Sequence, residues 1–175
     1  DAYACSNECY ALPSIGTYMN GIGHVCHEFS HCLGLPDFYD VNYNNMGMSS
    51  WSIMASGNYN GEGFVPLGYS AYEKSFVGWM ELEELTEAGS YELEPLIESN
   101  KAYKIVNDAN PDEFYVLENR VCEAWDKYMP AEGLMITHVD YDQNIWWSNS
   151  VNTTASRQRV TLIPADPKFD NSSLA

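Results

Sequence analysis

His27, Glu28 and His31 form an HExxH pattern, the combination of side chains in this chain best suited to chemistry. On a helix, residues four apart lie on one face about 6 Å apart, so the two imidazoles can bind one zinc ion. Glu28 then lies beside the first ligand and can take a proton from a zinc-bound water, whose pKa the metal lowers toward 7. These groups suffice to hydrolyse a peptide bond. HExxH specifies metal and base rather than substrate, so a zinc hydrolase of a non-peptide substrate stays open.

A third metal ligand is expected shortly after the second histidine. Gly34 lets the chain turn back after His31, so that Asp37 can reach the metal. Asp40 or a distant glutamate could take its place. His24 shares the helix face, but about 10 Å of straight helix separate it from His31, too far for both to bind one ion. His24 is therefore interpreted as a histidine at the start of the helix.

The elements that must position these residues follow from the local patterns. Residues 1–20 lack periodicity and predict a loop, whereas residues 22–33 predict a helix that ends at Gly34. Residues 36–65 are rich in glycine, asparagine, serine and aspartate and predict a long ordered loop, which in a globular chain is usually functional. Residues 67–79 predict a second helix, opened by a proline.

After residue 89 the pattern changes to a period of two, which predicts strands. The predicted strands are residues 90–97, 101–107, 113–119, 134–140 and 157–163. Residues 107–112 (NDANPD) predict a turn between two of them. We therefore expect an α+β fold, with a helical, loop-rich part in residues 1–84 and a β-rich part in residues 85–175.

Composition and charge exclude several classes of partner. The 175 residues are 45% hydrophobic, enough for a packed core, and no uninterrupted apolar window is long enough for a membrane span. The net charge of −17 repels nucleic acid and anionic membranes. The first basic residue is Lys74, so a bound metal would supply the cation that the preceding stretch lacks. The sequence indicates no oligomeric state.

Longer stretches around the motif resemble a known family. The run HEFSHCLGLPD, followed by Met54 in the turn SIMASG, resembles the metzincin zinc proteases. The segments GIGHVCHEFSHCLGLPDFYD, WSIMASG and PLGYSAYEKSFVGW are most similar to the secreted bacterial proteases of the immune-inhibitor-A type, the M6-like family. The later segments EFYVLENR, GLMITHVDYD and RQRVTLIPAD resemble the β-rich segment that follows the catalytic helices in such proteins.

The resemblance implies a zinc-dependent endopeptidase of protein or peptide substrates, secreted by a bacterium or held at its surface. It implies that the zinc ligands are His27, His31 and Asp37, that Glu28 is the general base, and that Met54 is the Met-turn residue beneath the zinc. Residues 1–84 would then be the lower, metzincin-like part of a catalytic domain.

Such catalytic domains place a sheet and a helix before the zinc helix, and only 26 residues precede His27. We therefore expect the chain to be a piece of a longer protein, and whether the piece alone is active stays open. The missing substrate-binding layer also motivates an alternative, a non-catalytic zinc-binding or structural module on a protease scaffold.

Acidic pairs and two isolated residues suggest further sites. The pairs Asp37/Asp40 and Asp140/Asp142 could hold a structural calcium ion, with a solvated acidic surface as the alternative, since no EF-hand spacing is present. Tyr59 could reach the metal, although a packed loop aromatic fits its position better, and His138 is expected to be structural.

The cysteines allow a disulfide but do not require one. Cys26 and Cys32 flank the motif and point about 120° apart on a helix, so they are poor partners for each other. Either could pair with Cys5 or Cys9, and buried structural thiols are the simpler expectation.

Overall fold

The computed structural model of this chain describes residues 4–14 and 16–166. Within them a two-stranded hairpin, a five-stranded sheet and four short helices form an α+β structure. The helices are α1 (Ile22–Cys32), α2 (Ala71–Phe76), α3 (Leu96–Ser99) and α4 (Gln143–Trp147). The strands are β1 (Cys9–Leu12), β2 (Gly16–Met19), β3 (Glu83–Glu84), β4 (Tyr103–Asn107), β5 (Asn110–Arg120), β6 (Gly133–Asp140) and β7 (Val160–Leu162).

Helix α1 confirms the prediction of a helix over residues 22–33. Its 11 residues are too few for a stable isolated helix, so packing must hold it. Gly23 permits that packing, because a Cβ there would lie 1.9 Å from the Asn58 carbonyl oxygen. The helix ends at Cys32, two residues before Gly34, whose φ of +94° favours glycine. None of the helices in the described part of the chain is long and apolar enough to cross a membrane.

The long loop after α1 is ordered, as predicted for residues 36–65. It contains only short 3-10 turns, at Ser49–Trp51 and Ser56–Gly63. Phe38 donates its backbone N–H to the Met54 carbonyl at 2.7 Å, and Met48 donates to the Phe38 carbonyl at 2.9 Å. The side chains of all three residues are buried in the core. Apolar burial and cross-loop hydrogen bonds thus replace regular secondary structure here.

Helix α2 is shorter than the prediction of residues 67–79, which was wrong at both ends. The helix begins at Ala71 because Ser70 and Glu73 form a capping box: the Ser70 hydroxyl accepts the Glu73 N–H and the Glu73 carboxylate accepts the Ser70 N–H. It ends at Phe76, shortly before Gly78 adopts a φ of +79°. The cap residues, rather than the preceding proline, set the first turn.

Four predicted strands are confirmed as β4, β5, β6 and β7, with shifted ends. The predicted turn over residues 107–112 narrows to residues 108 and 109, and β5 begins at Asn110. The strand predicted for residues 90–97 was wrong. That segment makes one isolated bridge, between Pro95 and Asn119, and then enters α3. Pro95 has no N–H to continue a ladder, which explains the interruption.

The loop predicted for residues 1–20 was wrong where β1 and β2 form an antiparallel hairpin. All four residues of β2 are exposed, so no alternation of buried and exposed side chains marks the strand in the sequence. Residues 1–3 and 15 of the predicted loop lie outside the described residues.

The large sheet has the order β3-β4-β5-β6-β7, with β3 parallel to β4 and the other pairs antiparallel. Its buried face contributes Val116 and Val139 to one hydrophobic cluster, which also contains Phe38 and Met54 from the long loop. The loop that follows α1 therefore packs directly on the sheet.

A buried ion-pair network ties β5 to the start of α2. The Arg120 guanidinium lies 2.8 Å from Glu118 Oε1 and 2.7 Å from Asp126 Oδ1, and it also donates to the Gly68 carbonyl at 3.1 Å. The remaining Glu118 oxygen accepts the Ala71 N–H at 2.6 Å. We call Glu118, Arg120 and Asp126 the arginine cluster.

Candidate metal centre

The structure brings His27, His31 and Asp37 together. They form the one group of three metal-ligating side chains found in the described residues, with ligand atoms within 4.8 Å of one another. Asp37 Oδ1 lies 3.1 Å from His27 Nε2 and 3.5 Å from His31 Nε2. Helix α1 supplies the histidines at i and i+4, and the turn at Gly34 returns the chain to them. We call these three residues the metal cluster.

Both histidines are held by backbone carbonyls on the side away from the cluster. His27 Nδ1 bonds the Ile53 carbonyl at 2.8 Å, and His31 Nδ1 bonds the Leu35 carbonyl at 2.8 Å. A carbonyl can only accept, so each Nδ1 carries the proton, and in the neutral ring Nε2 keeps its lone pair. The lone pairs of both rings therefore face Asp37. Carbonyl partners of this kind fix the tautomer and the ring orientation of histidines that bind metals.

One buried oxygen of the metal cluster accepts no hydrogen bond. Asp37 Oδ1 is buried without a hydrogen-bond donor, because the nitrogens beside it are unprotonated in neutral rings. Zinc bonds of 2.0–2.2 Å in a tetrahedron place ligand atoms about 3.3 Å apart, close to the 3.1 and 3.5 Å found between these atoms. Two imidazole nitrogens and one carboxylate oxygen also form a donor set typical of catalytic zinc. The residues present therefore fit a zinc ion.

Asn149 holds the aspartate from a distant part of the chain. Its Oδ1 accepts the Asp37 backbone N–H at 2.7 Å, and its Nδ2 donates to Asp37 Oδ2 at 2.7 Å. Sequence reasoning missed this residue. The partners are separated by 112 positions in the sequence and no motif surrounds Asn149, so the sequence carries no signal for it.

The electrostatics of the cluster follow from these contacts. Burial on its own would raise the pKa of Asp37, but hydrogen bonds from the His27 and His31 rings in their protonated forms, together with that from Asn149, more than reverse this and lower it. The contact with Asp37 raises the pKa of His31 against the opposing effect of burial. Without a metal, the cluster therefore favours an ionised carboxylate and holds a proton on His31 more tightly than water would.

Glu28 opens onto a small cavity beside the metal cluster. Its side chain is about one-third exposed and lies 3.9 Å from His24 Nε2. The cavity has a volume of about 200 Å³, and its lining includes His24, His27, Glu28, Tyr39, Asn58 and Tyr59. Burial and the charge of Asp37 raise the pKa of Tyr39 to about 12, so its phenol is protonated at neutral pH. Tyr39 has a place in the cavity that the sequence did not indicate.

Met54 is fully buried in a turn that directly supports the first histidine. The preceding residue, Ile53, supplies the carbonyl that bonds His27. Ser52 shapes the turn, since its hydroxyl bonds Glu73 and accepts the Met54 N–H at 3.0 Å. This turn thus links α1 to the capping box of α2.

The other candidate ligands lie outside the metal cluster. Asp40 is buried, and its oxygens accept the N–H groups of Asn42 and Asn44 at 2.9 and 3.0 Å, so the protein itself uses its carboxylate. His24 lies near Glu28 and Tyr59. Among the described residues, no glutamate belongs to the cluster.

The remaining residues considered for function have protein partners. His138 bonds Glu113 at 2.9 Å across β5 and β6. Asp140 is paired with Arg157 and Arg159, at 2.8 and 3.2 Å. With Asp140 and Asp40 engaged by protein donors, neither acidic pair supports a calcium site. Tyr59 is 62% exposed at the mouth of the cavity.

The five cysteines are free thiols, so the disulfides considered for Cys26 and Cys32 are not formed. Cys5 and Cys9 are exposed near the hairpin, whereas the flanking cysteines of α1 are partly buried. Burial raises the pKa of the Cys26 thiol, which favours the neutral form. Cys26 packs against the hydrophobic core.

A larger cavity of about 650 Å³ lies on the other side of His31. Its aromatic lining comes from Phe76 of α2, from Tyr141, and from Trp146 and Trp147 of α4. Asn149 also borders it. The same segment of the β-rich part therefore holds Asp37 and forms an apolar wall next to the metal cluster.

Comparison with known proteins agrees with this geometry. The sequence model of the immune inhibitor A peptidase M6 catalytic domain matches residues 10–80. The pre-pro-metalloprotease PrtV of Vibrio cholerae serotype O1 (strains M66-2 and ATCC 39315 / El Tor Inaba N16961) is 39% identical over 74 residues, which cover 37% of this chain and 8% of the relative. Immune inhibitor A of Bacillus thuringiensis subsp. alesti is 39% identical over 59 residues, 31% of this chain and 9% of the relative.

The chain thus spans less than a tenth of the length of these curated relatives. No solved structure matches it. The matched stretch contains α1, the turn to Asp37 and the turn at Met54, which supply the metal cluster and its main supports. Over residues 10–80, this chain is similar to the M6-like peptidases of the immune inhibitor A type.

Proposed function

We propose that this chain carries the zinc centre of an endopeptidase that hydrolyses peptide bonds in protein substrates. The observation that supports this most is the buried Asp37 Oδ1, which has no proton donor and faces two imidazole nitrogens. A buried carboxylate oxygen without a partner is costly unless a cation joins it. The first 73 residues contain no lysine or arginine to serve as that cation.

His27, His31 and Asp37 would hold the zinc ion, with protein groups behind each of them. The carbonyls of Ile53 and Leu35 keep both imidazoles in the tautomer that binds through Nε2. When bound, zinc would lower the pKa of a coordinated water and polarise the scissile carbonyl.

Glu28 would act as the general base of the reaction. It follows His27 directly on α1, and a carboxylate so placed can accept a proton from a water molecule. The cavity next to Glu28 admits a water molecule and part of a substrate. The carboxylate would take the proton of the attacking water and return it to the leaving amine.

We further propose that Met54 serves as the Met-turn residue of a metzincin-like subdomain. Its complete burial and the support that its turn gives to His27 favour this role. A thioether in the core would shape the floor of the site without coordinating the metal.

The proposed setting is outside a bacterial cell, by secretion or at the cell surface. Two bacterial relatives support it, one of them named a pre-pro-metalloprotease and the other immune inhibitor A. Protein substrates are proposed on the same ground. The alternative, a zinc-binding module without catalysis, has the same metal cluster and differs only in turnover.

Zinc content and casein hydrolysis test the proposal, both on the 175-residue chain and on any longer natural product that contains it. We expect one zinc per chain and a loss of hydrolysis of about 10²–10⁴-fold in Glu28→Gln, the usual contribution of a general base. Glu98→Gln, on the exposed surface of α3, is the matched control and should keep full activity.

Equal hydrolysis by Glu28→Gln and the unaltered protein would refute the role of Glu28. Stoichiometric zinc without hydrolysis in any form of the protein would favour the non-catalytic module.

A further inference from the structure

We propose that Asn149 is a positioning residue of the metal centre, which fixes the Asp37 carboxylate so that Oδ1 faces the two histidines. The proposal rests on the zinc site proposed above. It assigns a role in that site to the β-rich part of the chain, beyond the residues that the family match covers.

Two hydrogen bonds between Asn149 and Asp37 fix the orientation of the Asp37 carboxylate. The amide oxygen accepts the Asp37 N–H and the amide nitrogen donates to Oδ2, each at 2.7 Å. One bond holds the backbone and the other the side chain of the same residue. Because Oδ2 is engaged, Oδ1 remains as the oxygen that faces His27 and His31.

A neutral amide suits this position better than a charged donor. A lysine or arginine next to Asp37 would compete with a metal for the carboxylate charge, whereas an amide orients the oxygen and leaves the full charge available. Among the described residues, the hydrogen bonds to the Asp37 side chain come from this amide, from the Tyr39 phenol and, when protonated, from the histidine rings.

Asn149 is itself held rigidly. It lies two residues after the end of α4 and has a φ of +52°, a conformation that asparagine tolerates better than most residues. Its N–H donates to the Trp146 carbonyl at 3.1 Å, and the Trp146 side chain is buried in the core. Asp142 caps the start of the helix through the Asn144 N–H at 3.0 Å. A capped helix anchored in the core thus presents the amide.

Zinc affinity separates a positioning role from a purely structural one. We expect Asn149→Gly to bind zinc about 10- to 100-fold more weakly than the unaltered chain in competition with a chromophoric chelator, the usual effect of losing a second-shell partner. Glycine adopts a φ of +52° without strain, so the metal-free variant should fold. Asn144→Ala is the matched control, since its exposed side chain makes no described hydrogen bond.

Asn149→Ala distinguishes the amide from the backbone. It also lacks the amide but disfavours a positive φ, so an equal loss of zinc affinity in both variants supports positioning by the amide. Unchanged zinc affinity in Asn149→Gly overturns the proposal, whatever the alanine variant does.

The unaltered chain offers a second test that needs no variant. On titration with zinc, the side-chain amide proton signals of Asn149 should shift and saturate at one equivalent in nuclear magnetic resonance spectra. Signals that stay unmoved while zinc binds would overturn the role of Asn149. Failure of the unaltered chain to bind zinc at all would instead refute the proposed function.

Discussion

The metal cluster and the arginine cluster bury carboxylates in opposite ways. In the arginine cluster, Arg120 is only 1% exposed and donates to both carboxylates beside it. In the metal cluster, Asp37 is also buried, yet one of its oxygens meets two imidazole nitrogens and no donor. The arginine cluster thus contains its own cation, whereas the metal cluster offers groups that could bind one.

The cost of burying a carboxylate is thus met by a structural ion pair in the arginine cluster and by a candidate ion-binding site in the metal cluster. A buried carboxylate must be paired, and the partner decides the outcome. A guanidinium fixed by the chain itself makes a permanent joint between β5 and the start of α2. In the metal cluster, backbone carbonyls orient the two imidazole rings so that their Nε2 lone pairs can bind an ion from solution.

The largest effect is expected from removing the cation of the arginine cluster. Arg120→Met leaves Glu118 and Asp126 buried without their partner and should lower the free energy of unfolding by about 3–5 kcal/mol. Burial already raises the pKa of Glu118 despite the arginine, and loss of the arginine would raise it further. Urea unfolding followed by tryptophan fluorescence measures the change.

Arg157→Met is the control for this prediction. Its side chain is 64% exposed, and its partner Asp140 keeps a second pair with Arg159, so the expected loss is below about 1 kcal/mol. Similar losses in both variants would show that the burial of the arginine cluster does not matter.

A smaller effect is expected from filling the metal cluster. Free zinc at 100 times its dissociation constant should raise the free energy of unfolding by about 2.7 kcal/mol, because the ion binds only the folded chain. A chelator should reverse the gain, and Asp37→Asn should abolish most of it. Zinc should leave the loss caused by Arg120→Met unchanged, because the two clusters share no residue.

Asp112→Asn, which changes an exposed aspartate, should keep the whole zinc effect. An equal stabilisation of the Asp37→Asn variant by zinc would place the ion elsewhere and break the comparison of the two clusters.

The smallest expected effect is a pH dependence of the unfolding free energy. Its sign should differ between the metal-free and the zinc-bound chain. Asp37 raises the pKa of His31, so in the metal-free chain this contact stabilises the fold fully below the unfolded histidine pKa of about 6.5. The stabilisation is lost as the pH rises through the raised pKa of the folded state. Zinc needs neutral imidazoles, so its stabilisation grows over the same range.

The measurement is the difference in unfolding free energy between the unaltered chain and Asp37→Asn, from pH 6 to pH 8. With chelator it should fall as the pH rises, and with zinc it should increase. The same slope in both conditions would contradict the assignment of His31 to the metal cluster.

Much of the fold and of the proposed site could be predicted from local patterns. The helix carrying the histidines, the long loop and four strands of the sheet were predicted because their periodicity or composition is strong over several residues. The hairpin of β1 and β2 was missed because its second strand has no buried face. The strand predicted for residues 90–97 failed at Pro95, where pairing stops.

By itself, the sequence determined which groups can do the chemistry. The spacing of His27 and His31 on a helix and the glycine before Asp37 are local features, and local geometry makes these residues candidate ligands of one metal ion. The absence of lysine and arginine before Lys74 is equally visible in the sequence.

Only the tertiary structure decided how those groups are held. It placed Asp37, rather than Asp40, beside the two histidines, and the carboxylate of Asp40 is engaged by nearby backbone N–H groups. It also placed Ile53 behind His27 and Asn149 behind Asp37, partners 26 and 112 residues away. Hydrogen bonds across such separations depend on how the loop and α4 pack on the common core, and no local pattern encodes that packing.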